Sequence, residues 1–488
     1  MVVGGGIHGV AIARDAALRR LSVLLVERAD LAGATTSRTS KLIHGGIRYL
    51  ERGEIPLVRE SLHERAVLLR IAPDLVRPIR FLLPRYRGVG RPLWMIHAGL
   101  WLYGALAGRD PLSAHRRLDA AETLQLEPGL EGEGLEGSFQ FHDAQMDDAL
   151  LCVAVALAAE RAGAEIRTYT ELRALERSGP GWRARLLDHE SGVEQAVEAK
   201  WVVNAAGPWV DRVRRLARPA ATRLVRRTRG THVVLEGALV SNAVLLTAKR
   251  DGRVFFALPW GGHTMVGTTD VDDRRDPDHV GPDAADVRYL LEEASLALPS
   301  IRTAGLRPVR VFAGIRPLAA GARRGAPSSN RREHRIVEES RMVSVVGGKY
   351  TTHRLLACEV VDRLIALDRR RAPRSSTADS LLSGGREDSI ESLALRHPRT
   401  LELPGGLRLR EAEVAHAVQF EKARTLEDVL LRRTRLWLDG RALRAAAGPA
   451  AEWMAKARAW DDAARRGEIN RMTRALDEEA RVVKEATR

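Results

Sequence analysis

The chain has 488 residues, 45% of them apolar, a formal net charge of +15 and only two cysteines, Cys152 and Cys358. That length is too great for one ordinary core and predicts about two or three domains, while the apolar fraction is that of a soluble globular enzyme. Two cysteines exclude an iron–sulfur module with four cysteine ligands and argue against a disulfide framework, which fits a reducing cytosolic setting. The charge favours anionic partners, whether phosphorylated substrates, nucleic acid or acidic lipid headgroups. An arginine-rich composition with no specific partner is the plainer reading.

Met1 runs straight into a glycine turn with no basic region or cleavage site, which predicts a chain that stays inside the cell. VVGGGIHGVAIARDAALRRLSVLLVERADL at 2–31 reads as strand end, glycine turn, helix and second strand, the last at 22–27. Within it stands Gly4-x-Gly6-x-x-Gly9, with Glu27 closing the second strand. Such glycines permit a tight turn, close approach of backbone to a pyrophosphate and close helix–strand packing, and the acid would accept hydrogen bonds from a ribose. The motif does not separate NAD from FAD. Only Met1, Val2 and Val3 precede Gly4, so the first strand is expected to be clipped.

SKLIHGGIRYLE at 40–51 sets Lys41, His44, Arg48 and Tyr49 around Gly45 and Gly46. Paired glycines admit a flat or phosphorylated ligand, and the flanking cations point to an anion nearby. PLWMIHAGLWLYGALAG at 92–108 is the longest apolar run, broken by His97. It falls short of the roughly 20 residues that span a bilayer as a helix. Arg80, Arg85, Arg87 and Arg91 precede it and Arg109, Arg116 and Arg117 follow. It reads either as a helix lying in the interface of an anionic membrane or as a buried core helix with arginines in its loops.

The βα alternation continues with a helix at 147–164 and strands at 164–170 and 200–207. From about 220 to 345 the pattern turns to short β-rich runs (THVVLEG, RVFFALPW, HTMVGTTDV, RMVSVVGG), expected to form a substrate-facing sheet. GGKYTTHRLLACEVVDRLIAL then returns to the first domain as turn plus helix. The polar stretch 368–389 is the linker candidate, and the charged remainder to Arg488 predicts a small α-helical domain. No histidine and carboxylate spacing suggests zinc and no GxSxG turn appears, so neither a metal nor a covalent protein nucleophile is expected.

Taken together, GGGIHGVAIARDAA, TSKLIHGGIRYLE, FHDAQMDDALL, NAAGPWVD, RGTHVV, VGTTDV, AGIRPL and VVGGKYTTHR, in order from residue 2 to about 359, resemble the FAD-dependent glycerol-3-phosphate dehydrogenases. In the C-terminal part the resemblance is confined to 416–436, and the chain looks shorter than the family pattern between the linker and that stretch. The resemblance implies an α/β fold in which a Rossmann-like FAD-binding domain is interleaved with a β-rich substrate domain. The expected core is 1–367, with FAD-binding parts at about 1–75, 140–215 and 340–367 and substrate parts at about 76–139 and 216–339, followed by the linker 368–389 and a helical domain at 390–488.

The reaction so implied is oxidation of sn-glycerol 3-phosphate to dihydroxyacetone phosphate by hydride transfer to FAD, with electrons passed to membrane quinone. It also implies a protein peripheral on the inner face of the cytoplasmic membrane and allows a homodimer. A soluble oxidase of the same fold using oxygen is the alternative, and a non-catalytic or nucleic-acid-binding flavoprotein a remote one; nothing resembles an RNA module.

Oxidising a secondary alcohol needs a proton acceptor and positive charge for the developing alkoxide. His232 is the first choice as base, with Lys349 the alternative base or a cation near the flavin. Arg316, always charged, can only hold substrate oxygen. By resemblance, Arg48 and Arg332 clamp the phosphate, and Tyr49 and Thr269, beside Thr268, line the pocket. The implied FAD set is Gly4, Gly6, Gly9, Glu27, Thr36, Ser40, Lys41, Leu42, His44, Gly45, Gly46, Ala206, Gly207, Gly314, Gly348 and Thr351.

Overall fold

The computed structural model describes residues 1–488 except 109, 304, 306, 321–333 and 383–384. Arg332 and the neighbouring Arg323, Arg324 and Arg331, as well as Arg109, therefore lie outside the described residues.

Val2–Val3 sits at the centre of a six-stranded sheet whose order is Arg335–Glu339, Met342–Val346, Val202–Asn204, Val2–Val3, Leu24–Val26 and Glu165–Arg167. All neighbours run parallel except Arg335–Glu339, which turns back against Met342–Val346. Short as it is, the first strand is paired on both edges: Val3 faces Asn204 on one side and Val26 on the other. A parallel sheet must have both faces covered. Helices Ile7–Leu18, Asp148–Arg161 and His353–Leu367 cover one, sharing a core that includes Val10, Ile12, Cys152, Val155 and Val360. A small antiparallel sheet covers the other, where Leu172, Trp182 and Leu186 pack on Val3, Val26 and Val202.

The second sheet has ten strands and draws on more of the chain than the 220–345 region alone. Val76–Tyr86 and Leu135–Met146 pair along their length, and Val225–Leu235 pairs with Pro308–Ala319 from Val225 opposite Ala319 to Leu235 opposite Pro308. Leu42–Ile43 joins its edge at Gln145 and Ala144, carrying the chain from the first sheet into the second.

The described residues of the 368–389 segment are pinned rather than free. Arg14 donates to the Ser380 carbonyl at 2.8 Å, Arg19 to that of Pro373 at 2.9 Å, and the Leu382 amide to that of Ile71 at 2.7 Å. Its end already enters the helix Arg386–Ala394. Beyond it, a hairpin (Thr400–Leu403 with Leu407–Arg410) and helices Glu411–Phe420, Leu426–Arg432, Gly440–Arg458 and Asp462–Ala486 form a packed unit. Leu409, Leu426, Leu443 and Trp437 from this unit share one core with Phe81, Phe141, Leu258 and Phe312 of the large sheet.

Candidate active site

The glycine turn between the first strand and first helix is fixed by contact rather than by preference. Gly4 has φ +114°, and a Cβ there would stand 2.6 Å from the Ala205 carbonyl oxygen; one on Gly9 would stand 1.9 Å from the Gly4 carbonyl oxygen. Gly6 caps the helix without a side chain, so the helix N-terminus opens as an anion site beside Thr36, whose Oγ1 accepts from the Ile7 amide at 3.1 Å. Glu27 accepts from the Gly5 amide at 2.6 Å and the Ala29 amide at 2.9 Å, and burial pushes its carboxyl pKa up. Its remaining lone pairs suit ribose hydroxyls.

These groups edge one cavity of about 690 Å³ that runs from the parallel sheet to the large one. Among the expected residues, Gly4, Gly6, Glu27, Thr36, Ser40, Leu42, His44, Gly46, Ala206, Gly207, Gly314, Gly348 and Thr351 line it, together with Arg48, Tyr49, His232, Arg316 and Lys349. A glycine cradle with no room for Cβ atoms, an open helix N-terminus and a strand-end carboxylate in one continuous cavity fit a dinucleotide such as FAD.

His232 is buried, stacked on Phe312 at 5.0 Å, with Nε2 2.9 Å from Ser40 Oγ. Burial, then the charges of Arg316 and Lys41, lower its pKa to about 3, so the imidazole is neutral in the resting protein. Arg316 donates to Thr268 Oγ1 at 3.0 Å, to the Thr269 carbonyl at 3.2 Å and to Asp270 at 3.2 Å. Gly230 makes room for it, since a Cβ there would lie 2.4 Å from the guanidinium. Lys349 Nζ stands 3.7 Å from the centroid of the Tyr49 ring and donates to Ser61 Oγ at 3.3 Å.

Four expected residues do not line the cavity. Gly9 serves the turn's packing. Lys41 is ion-paired with buried Asp148, donates to the Ser37 carbonyl at 3.0 Å and lies 4.2 Å from the Trp437 ring centroid. Gly45 faces the protein, where Tyr103 OH would be 2.4 Å from a Cβ. Thr269 turns inward, its hydroxyl accepting from the Thr231 amide at 3.0 Å, and Thr268 faces the cavity instead. The Gly45–Gly46 pair therefore reflects the protein's own tyrosines as much as a ligand: a Cβ on Gly46, at φ +77°, would meet the Tyr49 ring at 2.1 Å.

Sequence reasoning missed the far end of the cavity, where Arg28, Trp209, Arg212 and residues 170–173 line it. Arg28 covers the Trp209 ring at 4.5 Å, and Asp278 accepts from Trp209 Nε1 and from Arg212, each at 2.8 Å. No motif spacing marks these residues. Among the described residues, no group of three or more His, Cys, Asp or Glu is placed to hold a metal ion.

Comparison with known proteins agrees with this geometry. Residues 1–352 match the family model described as FAD dependent oxidoreductase, and 375–465 match the one described as the C-terminal domain of alpha-glycerophosphate oxidase. The glycerol-3-phosphate dehydrogenase of Mycobacterium leprae is 36% identical over 90% of this chain and 81% of its own. That of Pseudomonas aeruginosa is 36% identical over 90% of this chain and 91% of its own. The solved structure of glycerol-3-phosphate dehydrogenase from Bacillus halodurans complexed with FAD superimposes with a TM-score of 0.77 at 25% identity, covering 99% of this chain and 94% of that one.

Proposed function

Because the chain belongs to the family of FAD-dependent glycerol-3-phosphate dehydrogenases, we propose that it oxidises sn-glycerol 3-phosphate to dihydroxyacetone phosphate and passes the electrons to membrane quinone. FAD, when bound, supplies the hydride acceptor. The observation that carries the reading is the single cavity in which the dinucleotide turn meets His232, Arg316, Lys349, Arg48 and Tyr49.

Each side chain has a role its chemistry allows. Arg316, permanently charged, steadies the alkoxide as its proton leaves. Arg48 offers the substrate phosphate a charge-assisted fork, with Arg332 proposed as the second arm. Lys349, over the face of Tyr49, is stabilised as a cation and adds positive charge. The neutral, buried imidazole of His232 is left as the base.

The acceptor is proposed from the surface. Helix Leu93–Ala107 buries Leu100 and Tyr103 but leaves Trp94 69% and Trp101 66% exposed. Exposed Arg80, Arg87, Arg91, Arg116 and Arg117 surround it in sequence. Tryptophans rimmed by arginines suit the interface of an anionic bilayer, where quinone resides. No described helix is long and apolar enough to cross a membrane. Turnover with a soluble quinone analogue in the absence of oxygen supports the dehydrogenase; stoichiometric peroxide in air, with no quinone reduction, would make the protein an oxidase.

A further inference from the structure

His232 offers the cavity one of its two ring nitrogens. Nδ1 is sealed in the interior without a hydrogen-bond partner among the described residues, whereas Nε2 lies 2.9 Å from Ser40 Oγ. The ring is held in that orientation. Phe312 stacks on it with planes 15° apart, and Gly267 approaches so closely that a Cβ there would lie 2.2 Å from Cδ2. Nε2 is therefore the nitrogen that can exchange a proton with the cavity; in the Nδ1–H tautomer it accepts from Ser40 Oγ, and Ser40 lines the cavity beside it.

Ser40 is fixed on both sides. The Thr39 amide and hydroxyl donate to Asp148 Oδ2 at 3.2 and 2.7 Å, and Lys41 is ion-paired with the same buried carboxylate. That anchoring presets the hydroxyl without a cost in order at the moment of reaction.

We propose that Ser40 is a proton relay, its hydroxyl conveying the proton of the bound secondary alcohol to Nε2 of His232. The inference rests on the dehydrogenation proposed above. The alcohol O–H breaks as its proton passes to Oγ, and the Oγ–H breaks as that proton passes to Nε2. The electron pair left on oxygen forms the second C–O bond, while the carbon's hydride carries two electrons to the flavin. Ser40 ends as a neutral hydroxyl and His232 as an imidazolium. Arg316 and Lys41 oppose that imidazolium, and the doubly negative phosphate of the substrate offsets them.

The test compares wild-type holoenzyme with Ser40→Ala and Ser40→Thr, each loaded with FAD. Anaerobic stopped-flow reduction by glycerol 3-phosphate is followed across mixtures of H₂O and D₂O, and the imidazole ¹⁵N resonances of the resting proteins are compared. Ser40→Ala should keep its flavin spectrum, shift the Nε2 resonance of His232, and be reduced about 10²- to 10³-fold more slowly. The wild-type rate should curve with D₂O fraction, as two moving protons require, and the Ala variant should show a linear dependence. Thr, which keeps the hydroxyl, should recover most of the rate. Wild-type speed and curvature in Ser40→Ala, or a loss that Thr does not restore, would overturn the relay. A wild-type protein that glycerol 3-phosphate does not reduce would overturn the function and the relay with it; a reduced wild type beside an unimpaired Ala variant overturns the relay alone.

Discussion

Gly9 is the sharpest case of a residue fixed by its surroundings. Because its Cβ would sit 1.9 Å from the Gly4 carbonyl oxygen, Gly9→Ala must push the first helix away from the turn. The expected outcome is a folded protein that no longer retains FAD, read from the visible spectrum after gel filtration. His353 makes a different prediction. It is 2% exposed, its Nδ1–H donates to the Tyr350 carbonyl at 2.7 Å, and burial lowers its pKa to about 3. The unfolded chain, with an ordinary histidine pKa near 6.5, binds the extra proton between those values. Stability from this group is thus complete above about pH 6.5 and falls on acidification by up to about 1.4 kcal/mol per pH unit. His353→Asn, whose amide can still donate to Tyr350, should flatten the dependence of Tm on pH between 6.5 and 4. An unchanged slope would show that the imidazole does not carry it.

At the scale of elements, helix Leu93–Ala107 has two unlike faces. Leu100 and Tyr103 turn inward, Tyr103 donating to Asp143 at 3.0 Å, while Trp94, Met95 and Trp101 face out. Replacing Trp94 and Trp101 together by Ala should change the unfolding free energy by less than about 1 kcal/mol, as exposed substitutions do. It should also weaken sedimentation with anionic phosphatidylglycerol vesicles at least tenfold. Equal vesicle binding would remove this helix as the docking face. Much of this scale was legible in sequence: the glycine turn, the helix at 147–164, realised as Asp148–Arg161, and the parallel strands all follow from local pattern. What was not legible depends on distant partners. Lys41 meets an Asp148 that lies 107 residues on, and Thr268 and Thr269 follow a strand ending at Gly267, beyond which alternation no longer tells which side chain faces the cavity.

At the scale of the whole molecule, the most deeply buried charge tie between the C-terminal helices and the dinucleotide domain is Asp30, beside further contacts such as Tyr169 with Asp428 and Lys422 with Glu160. Asp30, 1% exposed, accepts from Arg432 at 2.5 Å and from Arg433 at 2.7 and 2.9 Å, a few residues past the strand Leu24–Val26. Asp30→Ala strips a buried counter-charge from both guanidinium groups and should cost about 3–5 kcal/mol in urea unfolding. Limited proteolysis of the variant should release the C-terminal domain first; cleavage no faster than in wild type would show that the shared apolar core and the remaining polar contacts hold it without Asp30. Neither the tie nor that core was visible in the sequence, because no local pattern links Asp30 to Arg433 across 403 residues.

The central claim is that one cavity binds FAD and presents it to a phosphorylated secondary alcohol. It is tested most directly by the visible spectrum of the FAD-loaded protein, recorded without oxygen before and after addition of glycerol 3-phosphate, with glycerol as the control. Glycerol 3-phosphate should bleach the flavin band, and glycerol at the same concentration should not. A flavin that stays bound and oxidised with glycerol 3-phosphate present would contradict it.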